Sequence, residues 1–254
     1  MGFLQYNGGM RLDQHWIFLS PHLDDAVFSC GGLLFELAQR GAKVDVWTIF
    51  AGDPPPGPLT PFAESLHARW GTGAGSAPAR RREDESACAR LGAGARHFDY
   101  PDCIYRLNPD GTPVIDGEDD LFQAAYGGES ELERELTAVF GGALPADVCL
   151  AAAFGIGRHV DHQLLVRAVR NLPYEVWFYP DYPYAAGDST EKQAWEMAPG
   201  RSLLAPVGAH GLAAWQAAVE AYRSQISTFW DGPEQMRARI RAYWRSGGGG
   251  LLRT

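Results

Sequence analysis

The sequence predicts an α/β fold, a mostly parallel sheet flanked by helices, and three observations carry that prediction. Residues 16–20 (WIFLS), 44–50 (VDVWTIF) and 148–154 (VCLAAAF) are short, largely apolar runs of strand length, the last suited to a strand buried on both faces. Residues 26–40 space their apolar side chains helically and stop at Gly41, a residue fitted to the left-handed turn that closes a helix. Strand, tight turn, helix and strand in that order call for a parallel pair with a right-handed crossover.

The rest of the chain continues the alternation. Residues 51–78 shift to Pro, Gly and small residues, too long for a routine connection and therefore a functional loop or a mobile excursion that could cover a cleft. Helix resumes near Ala79 and ends around Leu91 and Gly92; residues 97–100 form a third strand, and an irregular stretch rich in Asp, Gly and Pro follows through Gly128. Residues 130–140 read as an amphipathic helix with Ser130 as N-cap and Glu133 in the capping-box position. The apolar run ending at Phe154 leads through Gly155, Ile156, Gly157, Arg158 and His159 into a helix over 162–171, and residues 175–179 supply another strand. Beyond Pro180 the chain is aromatic and Pro-rich, then helical over 212–229 and 234–245, with the glycines of 247–250 as a flexible end. With no repeat and no convincing linker, this is a Rossmann-like single domain over 1–254, 1–172 as its core and 173–254 as its C-terminal part.

Composition removes several classes. A hydrophobic fraction of 46% and a charged fraction of 21% are globular values and argue against disorder, coiled coil or a disulfide scaffold. The net charge of −9 repels a phosphate backbone, and the only tight basic run is Arg80, Arg81 and Arg82, so nucleic acid is not an expected partner. Cys30, Cys88, Cys103 and Cys149 are dispersed, without zinc-knuckle or redox spacing, and read as reduced structural thiols. The first residues lack the charged and apolar regions of a signal peptide, and no stretch reaches membrane-spanning length, which points to the cytoplasm. Tyr6 stands where a myristoylation signal wants a small hydroxyl residue. Association into a homo-oligomer is left open.

In an open parallel sheet, ligand sites form outside the carboxyl ends of the strands, so polar residues just after strands weigh most. Ser20, Pro21, His22, Leu23, Asp24 and Asp25 follow the first strand; His159, Val160, Asp161 and His162 follow the strand near 150. Together they offer three histidines and three carboxylates, more than enough for a site of two histidines and one carboxylate with positions left for water and substrate. Zn2+ is the first choice, and Fe2+ uses the same donors. Against this stands a plainer reading of each cluster, with Asp24 or Asp25 capping one helix and Asp161 capping the other beside incidental histidines.

These two motifs resemble the PIG-L/LmbE-like zinc-dependent de-N-acetylases, which include N-acetylglucosaminyl-phosphatidylinositol deacetylase and enzymes of mycothiol and bacillithiol synthesis. The family pattern reads His-Pro-Asp-Asp-Glu at the first motif; Leu23 replaces its proline and Ala26 its acid, so the chain resembles a divergent branch. The resemblance covers roughly the first 170 residues at motif level. It implies that His22, Asp25 and His162 hold the metal and that Asp24 is the general base for hydrolysis of an N-acetyl group on an amino sugar or glycoside conjugate. His159 would stabilise the oxyanion as a hydrogen-bond donor, and Asp161 would fix a histidine tautomer or, equally, cap the helix beginning at His162. Asp24, near a helix N-terminus, is expected to remain ionised.

Weaker candidates follow. Asp102 lies where the family often contacts a sugar hydroxyl, balanced by a turn role after Pro101. Arg80 and its neighbours could grip a substrate anion, although a basic run mixed with acids more often forms a solvated helix face. Asp53 favours a turn role, and residues 177–184 line a pocket or interface or simply pack. His67, His97 and His210 lack ligand-like neighbours. Residues 71–75 follow no strand and carry no phosphate-loop lysine, so they read as a flexible loop. The rival functions are a metal-dependent phosphoesterase, which needs more converging carboxylates, and a non-catalytic metal- or sugar-binding module.

Overall fold

The computed structural model describes residues 14–71, 75–187, 190–197, 201–203 and 207–253. In chain order its elements are β1 (His15–Ser20), α1 (Asp25–Gln39), β2 (Val44–Thr48), α2 (Pro61–Trp70), α3 (Ser76–Leu91), β3 (Gly94–His97), α4 (Glu118–Leu121), α5 (Ser130–Ala143), β4 (Val148–Ala153), α6 (Val160–Arg170), β5 (Val176–Tyr179), α7 (Thr190–Met197), β6 (Arg201–Leu203), α8 (Ala209–Val219), α9 (Arg223–Phe229), α10 (Pro233–Arg245) and β7 (Leu251–Arg253).

Trp16, Ile17, Phe18 and Leu19 are all sealed from solvent, as suits an interior strand paired on both sides by β2 and β4. Successive strand side chains point to opposite faces. Trp16 and Phe18 accordingly join the core under α1, α3, α8 and α10, while Ile17 and Leu19 join the core under α5 and α6. The sheet order is β3-β2-β1-β4-β5-β7-β6. The first five strands are parallel, with Trp16 beside Val44 on one flank and Cys149 on the other; β7 and β6 add an antiparallel edge. Strand order reverses between β1 and β4, so a crevice opens at their carboxyl ends, the ligand position of a Rossmann-like sheet.

Several local expectations change. The long connection after β2 contains α2, started by Thr60, whose side chain accepts from the Ala63 amide at 3.1 Å, with Pro61 in the first turn. Ser130 does not cap α5: the N-cap is Glu129, in the left-handed region at φ 60°, and Glu133 instead pairs with Arg167 at 2.7 Å. The third strand begins at Gly94, and the helix expected over 212–229 is broken into α8 and α9. The glycines of 247–250 form a turn into β7: a Cβ at Gly248 would lie 2.4 Å from the Tyr243 ring, so this end packs closely. The chain start and residues 72–74 lie outside the described residues. The four cysteines are free thiols, and no helix among the described residues is long and apolar enough to cross a membrane.

Candidate active site

The turn after β1 is held by Ser20, whose Oγ donates to the His22 carbonyl at 2.7 Å and accepts from the Ala26 amide at 3.1 Å. Asp25 Oδ2 accepts from the His22 amide at 2.8 Å, so the Asp25 carboxylate turns back toward the strand end. Asp24 sits between them at φ 154°, ψ −34°, a conformation L-residues rarely adopt. Such strain persists where surrounding contacts over-determine the backbone, and it clusters at functional sites.

The second turn comes from β4. His159 caps α6, its Nδ1 accepting from the Asp161 amide at 3.3 Å, so the helix starts at Val160 and Asp161 is not its cap. Asp161 is fully buried and accepts from His22 Nε2 at 2.9 Å, Arg106 at 2.5 Å and the Cys103 amide at 3.1 Å. A carboxylate only accepts, so His22 keeps a proton on Nε2 and presents Nδ1 to the cleft. His162 repeats the device. Its Nδ1 donates to Asp181 Oδ1 at 2.6 Å, while Asp181 Oδ2 accepts from the Gly155 and Ile156 amides at 2.8 and 2.9 Å.

The two turns meet. Asp25 Oδ2 lies 3.3 Å from His22 Nδ1 and 3.2 Å from His162 Nε2. Donors about 2.0–2.1 Å from a tetrahedral ion stand about 3.3 Å apart, and the two separations from Asp25 match that distance. His22, His159 and His162 present ring nitrogens within 4.8 Å of one another, and the potential ligand atoms of Cys103, His159 and Asp161, and of His22, Asp102 and Asp161, lie equally close. Asp161 is already committed to three donors, and the proton of neutral His159 is left on Nε2, which makes that nitrogen a donor rather than a ligand.

Charge bears this out. Burial opposes protonation of His22, but the carboxylates of Asp102, Asp161 and Asp25 outweigh it and hold the ring well above the usual histidine range. His162 is likewise pushed up to about 10, against burial, by Asp25 and Asp181. Burial would raise Asp25, yet the His162 and His22 rings hold it well below the carboxylate range. The two rings and the Asp25 carboxylate thus attract one another's charge, and a dication binding there would compete with protons for the ring nitrogens. Burial and then the charges of His22 and His162 keep His159 neutral. Burial and the neighbouring Asp25 push Asp24 up to about 8 against the pull of Arg80, so its surroundings oppose the ionisation that a helix N-terminus was expected to favour.

Arg80 is buried, not on a solvated helix face: its guanidinium lies 3.5 Å from Asp24 Oδ2 and 4.7 Å over the Trp70 ring, and both it and Asp24 line the cleft. Asp102 does two things, capping a short 3-10 turn by accepting from the Ile104 amide at 3.2 Å and facing His22 Nε2 at 3.8 Å. Asp53 pairs with Arg81 at the surface. His67 contacts the Tyr105 hydroxyl, His97 pairs with Asp84, and His210 is exposed. Of the aromatic stretch, Trp177, Phe178, Tyr179 and Tyr182 pack in the core, and Tyr184 reaches the cleft.

Sequence reasoning missed Asp181 and Arg106. Asp181 follows Pro180 at the end of β5, a strand-end position that was a usable signal. Arg106 comes from the irregular stretch after β3, where nothing in the sequence marks it.

Fold and site together define an α/β protein with a buried histidine–carboxylate centre at the switch point of a Rossmann-like sheet. The family is more specific: the PIG-L family model, described as GlcNAc-PI de-N-acetylase, matches residues 17–172, and this chain belongs to that family. The 2'-N-acetylparomamine deacetylase of Niallia circulans is 32% identical over 201 residues, covering 66% of this chain and 67% of that protein. The protein of the same name from Streptomyces fradiae is 33% identical over 177 residues, and the match spans 66% of this chain and 57% of that protein. Among solved structures, the zinc-inhibited form of teicoplanin deacetylase Orf2 aligns with a TM-score of 0.75 and 28% identity, covering 94% of this chain and 97% of that one. The A40926 pseudoaglycone deacetylase Dbv21 aligns at 0.70 and 29%, covering 96% and 97%.

Proposed function

We propose that this chain is a metal-dependent hydrolase that removes the N-acetyl group from an amino sugar or glycoside conjugate. His22, Asp25 and His162 would hold one divalent ion, Zn2+ or, with the same donors, Fe2+. The observation that carries the reading is that each ligand histidine has its own buried carboxylate, Asp161 for His22 and Asp181 for His162, leaving two ring nitrogens aimed at Asp25. When bound, such an ion supplies Lewis acidity that lowers the pKa of water from about 15.7 toward about 7 and polarises a carbonyl.

The chain's own groups do the rest. A positive charge held beside it would draw the raised Asp24 carboxyl back toward its ionised form, and Asp24 would take a proton from water as oxygen bonds to the acetyl carbon. The same proton returns to the amine nitrogen as the C–N bond breaks, giving acetate and a free amine. Neutral His159 donates from Nε2 to the oxygen where negative charge gathers, a role worth about 100-fold or more. Arg80 and Asp102 offer a donor and an acceptor for sugar hydroxyls. Relatives named as deacetylases of 2'-N-acetylparomamine and of teicoplanin support an N-acetylated amine as substrate. A cytoplasmic setting goes with this reading, since Cys30, Cys88 and Cys103 are buried as free cysteines.

The test is release of primary amine from a panel of N-acetylated amino sugars and glycosides by protein carrying one equivalent of Zn2+ or Fe2+. Excess zinc is avoided because one relative has a zinc-inhibited form. Turnover of at least one member, abolished by chelator and restored by metal, is expected; amine release indifferent to chelator would overturn the metal-dependent reading.

A further inference from the structure

The catalytic groups form the floor of a cleft of about 270 Å3, and its walls have a different chemistry. α2 lends Phe62, Leu66 and Trp70, α4 lends Leu121 and Phe122, and α9 lends Phe229. α2 packs against α9, so Phe62, Leu66, Trp70 and Phe229 belong to one wall. Phe122 stands 39% exposed, an unusual state for a large apolar side chain in this fold. Its ring is held 5.5 Å from the His159 ring and 5.7 Å from that of Tyr184. α2 and α4 belong to the connections that follow β2 and β3, while α9 also sends Ile226 into the core under α1. Of the charged side chains that line the cleft, Asp24, Asp25, Asp102 and Arg80 belong to the floor, where Arg80 lies against Asp24, and Arg69 and Glu118 stand at the rim as one charge of each sign.

We propose that this rim is a subsite for an apolar, preferably aromatic, aglycone, so that the substrate is an N-acetylated amino sugar glycosidically linked to such a group. The inference rests on the deacetylase reading above and names its substrate class. The reacting amide must reach the floor beside His159 and Asp24, so the part of the substrate that meets the rim is the part furthest from that amide. An aromatic rim excludes water from an apolar group, whereas an aglycone rich in free amines would have to desolvate its charges against Phe62, Leu66, Trp70, Leu121, Phe122 and Phe229. Covering one face of a phenyl ring corresponds to about tenfold in kcat/KM.

The test compares metal-loaded protein on N-acetylglucosamine, its phenyl β-glycoside, its 2-aminoethyl β-glycoside and N-octanoylglucosamine, with amine release as readout. Binding of the first two to the protein is followed in parallel by calorimetry. The phenyl glycoside is expected to exceed the free sugar about tenfold or more in kcat/KM, with the aminoethyl glycoside below it. Phe62→Ala and Phe122→Ala are each expected to narrow that ratio. Equal kcat/KM for phenyl glycoside and free sugar, or a ratio unmoved in both variants, overturns the subsite. A preference for N-octanoylglucosamine over the phenyl glycoside moves the apolar group to the acyl side and overturns the aglycone assignment. If nothing is hydrolysed, the deacetylase reading fails alone: tighter binding of the phenyl glycoside then still supports the rim, and equal binding rejects it.

Discussion

Asp181→Asn perturbs the centre without touching an expected metal ligand. Three donors converge on the Asp181 carboxylate: the Gly155 and Ile156 amides at 2.8 and 2.9 Å and His162 Nδ1 at 2.6 Å. An asparagine has the same shape but replaces one accepting oxygen with an NH2 donor. If its oxygen keeps the two backbone amides, the NH2 faces Nδ1, the ring proton moves to Nε2, and the lone pair directed at Asp25 is lost. If the amide turns the other way, two buried N–H groups face a donor, at about 1–3 kcal/mol each. Orienting partners of this kind are worth about 10- to 100-fold in metal affinity, or about 1.4–2.7 kcal/mol. Chelator competition on the wild type and Asp181→Asn measures that change, with thermal unfolding in excess chelator as the folding control. A folded variant that binds metal within twofold of the wild type would refute the claim that Asp181 sets the His162 tautomer.

Three further outcomes are expected. Asp24→Asn should retain the metal found in the wild type by elemental analysis yet lose at least about 100-fold in kcat; near-normal turnover removes Asp24 as the base. Arg106→Met strands the fully buried Asp161 carboxylate and frees Glu129 from a two-point ion pair at 2.6 and 2.8 Å. A loss of about 3–5 kcal/mol in denaturant unfolding is expected, and a change under 1 kcal/mol contradicts the network. In chelator the protein should lose stability as pH rises above about 6.5, where the depressed His159 no longer offsets the raised groups. The Asp24 carboxyl, raised from 3.8 to about 8, withdraws stability between about pH 4 and pH 8; the raised His162 contributes fully below about 6.5 and loses that contribution as pH climbs through about 10. A melting temperature that rises across pH 7–9 in chelator runs against these assignments.

Much of this site was legible because its chemistry is written as two short clusters after apolar strands. His22, Asp24, Asp25, His159, Asp161 and His162 are adjacent in sequence within each cluster, and the strand-end rule brings the clusters together. Asp181 was not legible because it stands alone among aromatics, and its importance comes from the β5 end lying beside that of β4. The Arg106–Asp161 pair joins residues 55 apart through an irregular stretch with no periodicity to read. Arg80 looked like a solvated face because its neighbours are charged; only tertiary packing distinguishes it from the exposed Arg82. The sheet core was read from apolar runs, whereas β6 and β7 have three residues each and leave almost no pattern. α2 was hidden in a Pro- and Gly-rich stretch although Thr60 and Pro61 carried a helix-start signal.

Anomalous diffraction from metal-soaked crystals, recorded on both sides of the zinc absorption edge, addresses the shared ion most directly. The expected result is one strong peak about 2.0–2.2 Å from His22 Nδ1, an Asp25 carboxylate oxygen and His162 Nε2. A peak bound instead by Cys103, Asp102 or Asp161, or no peak in a soak where hydrolysis proceeds, contradicts it.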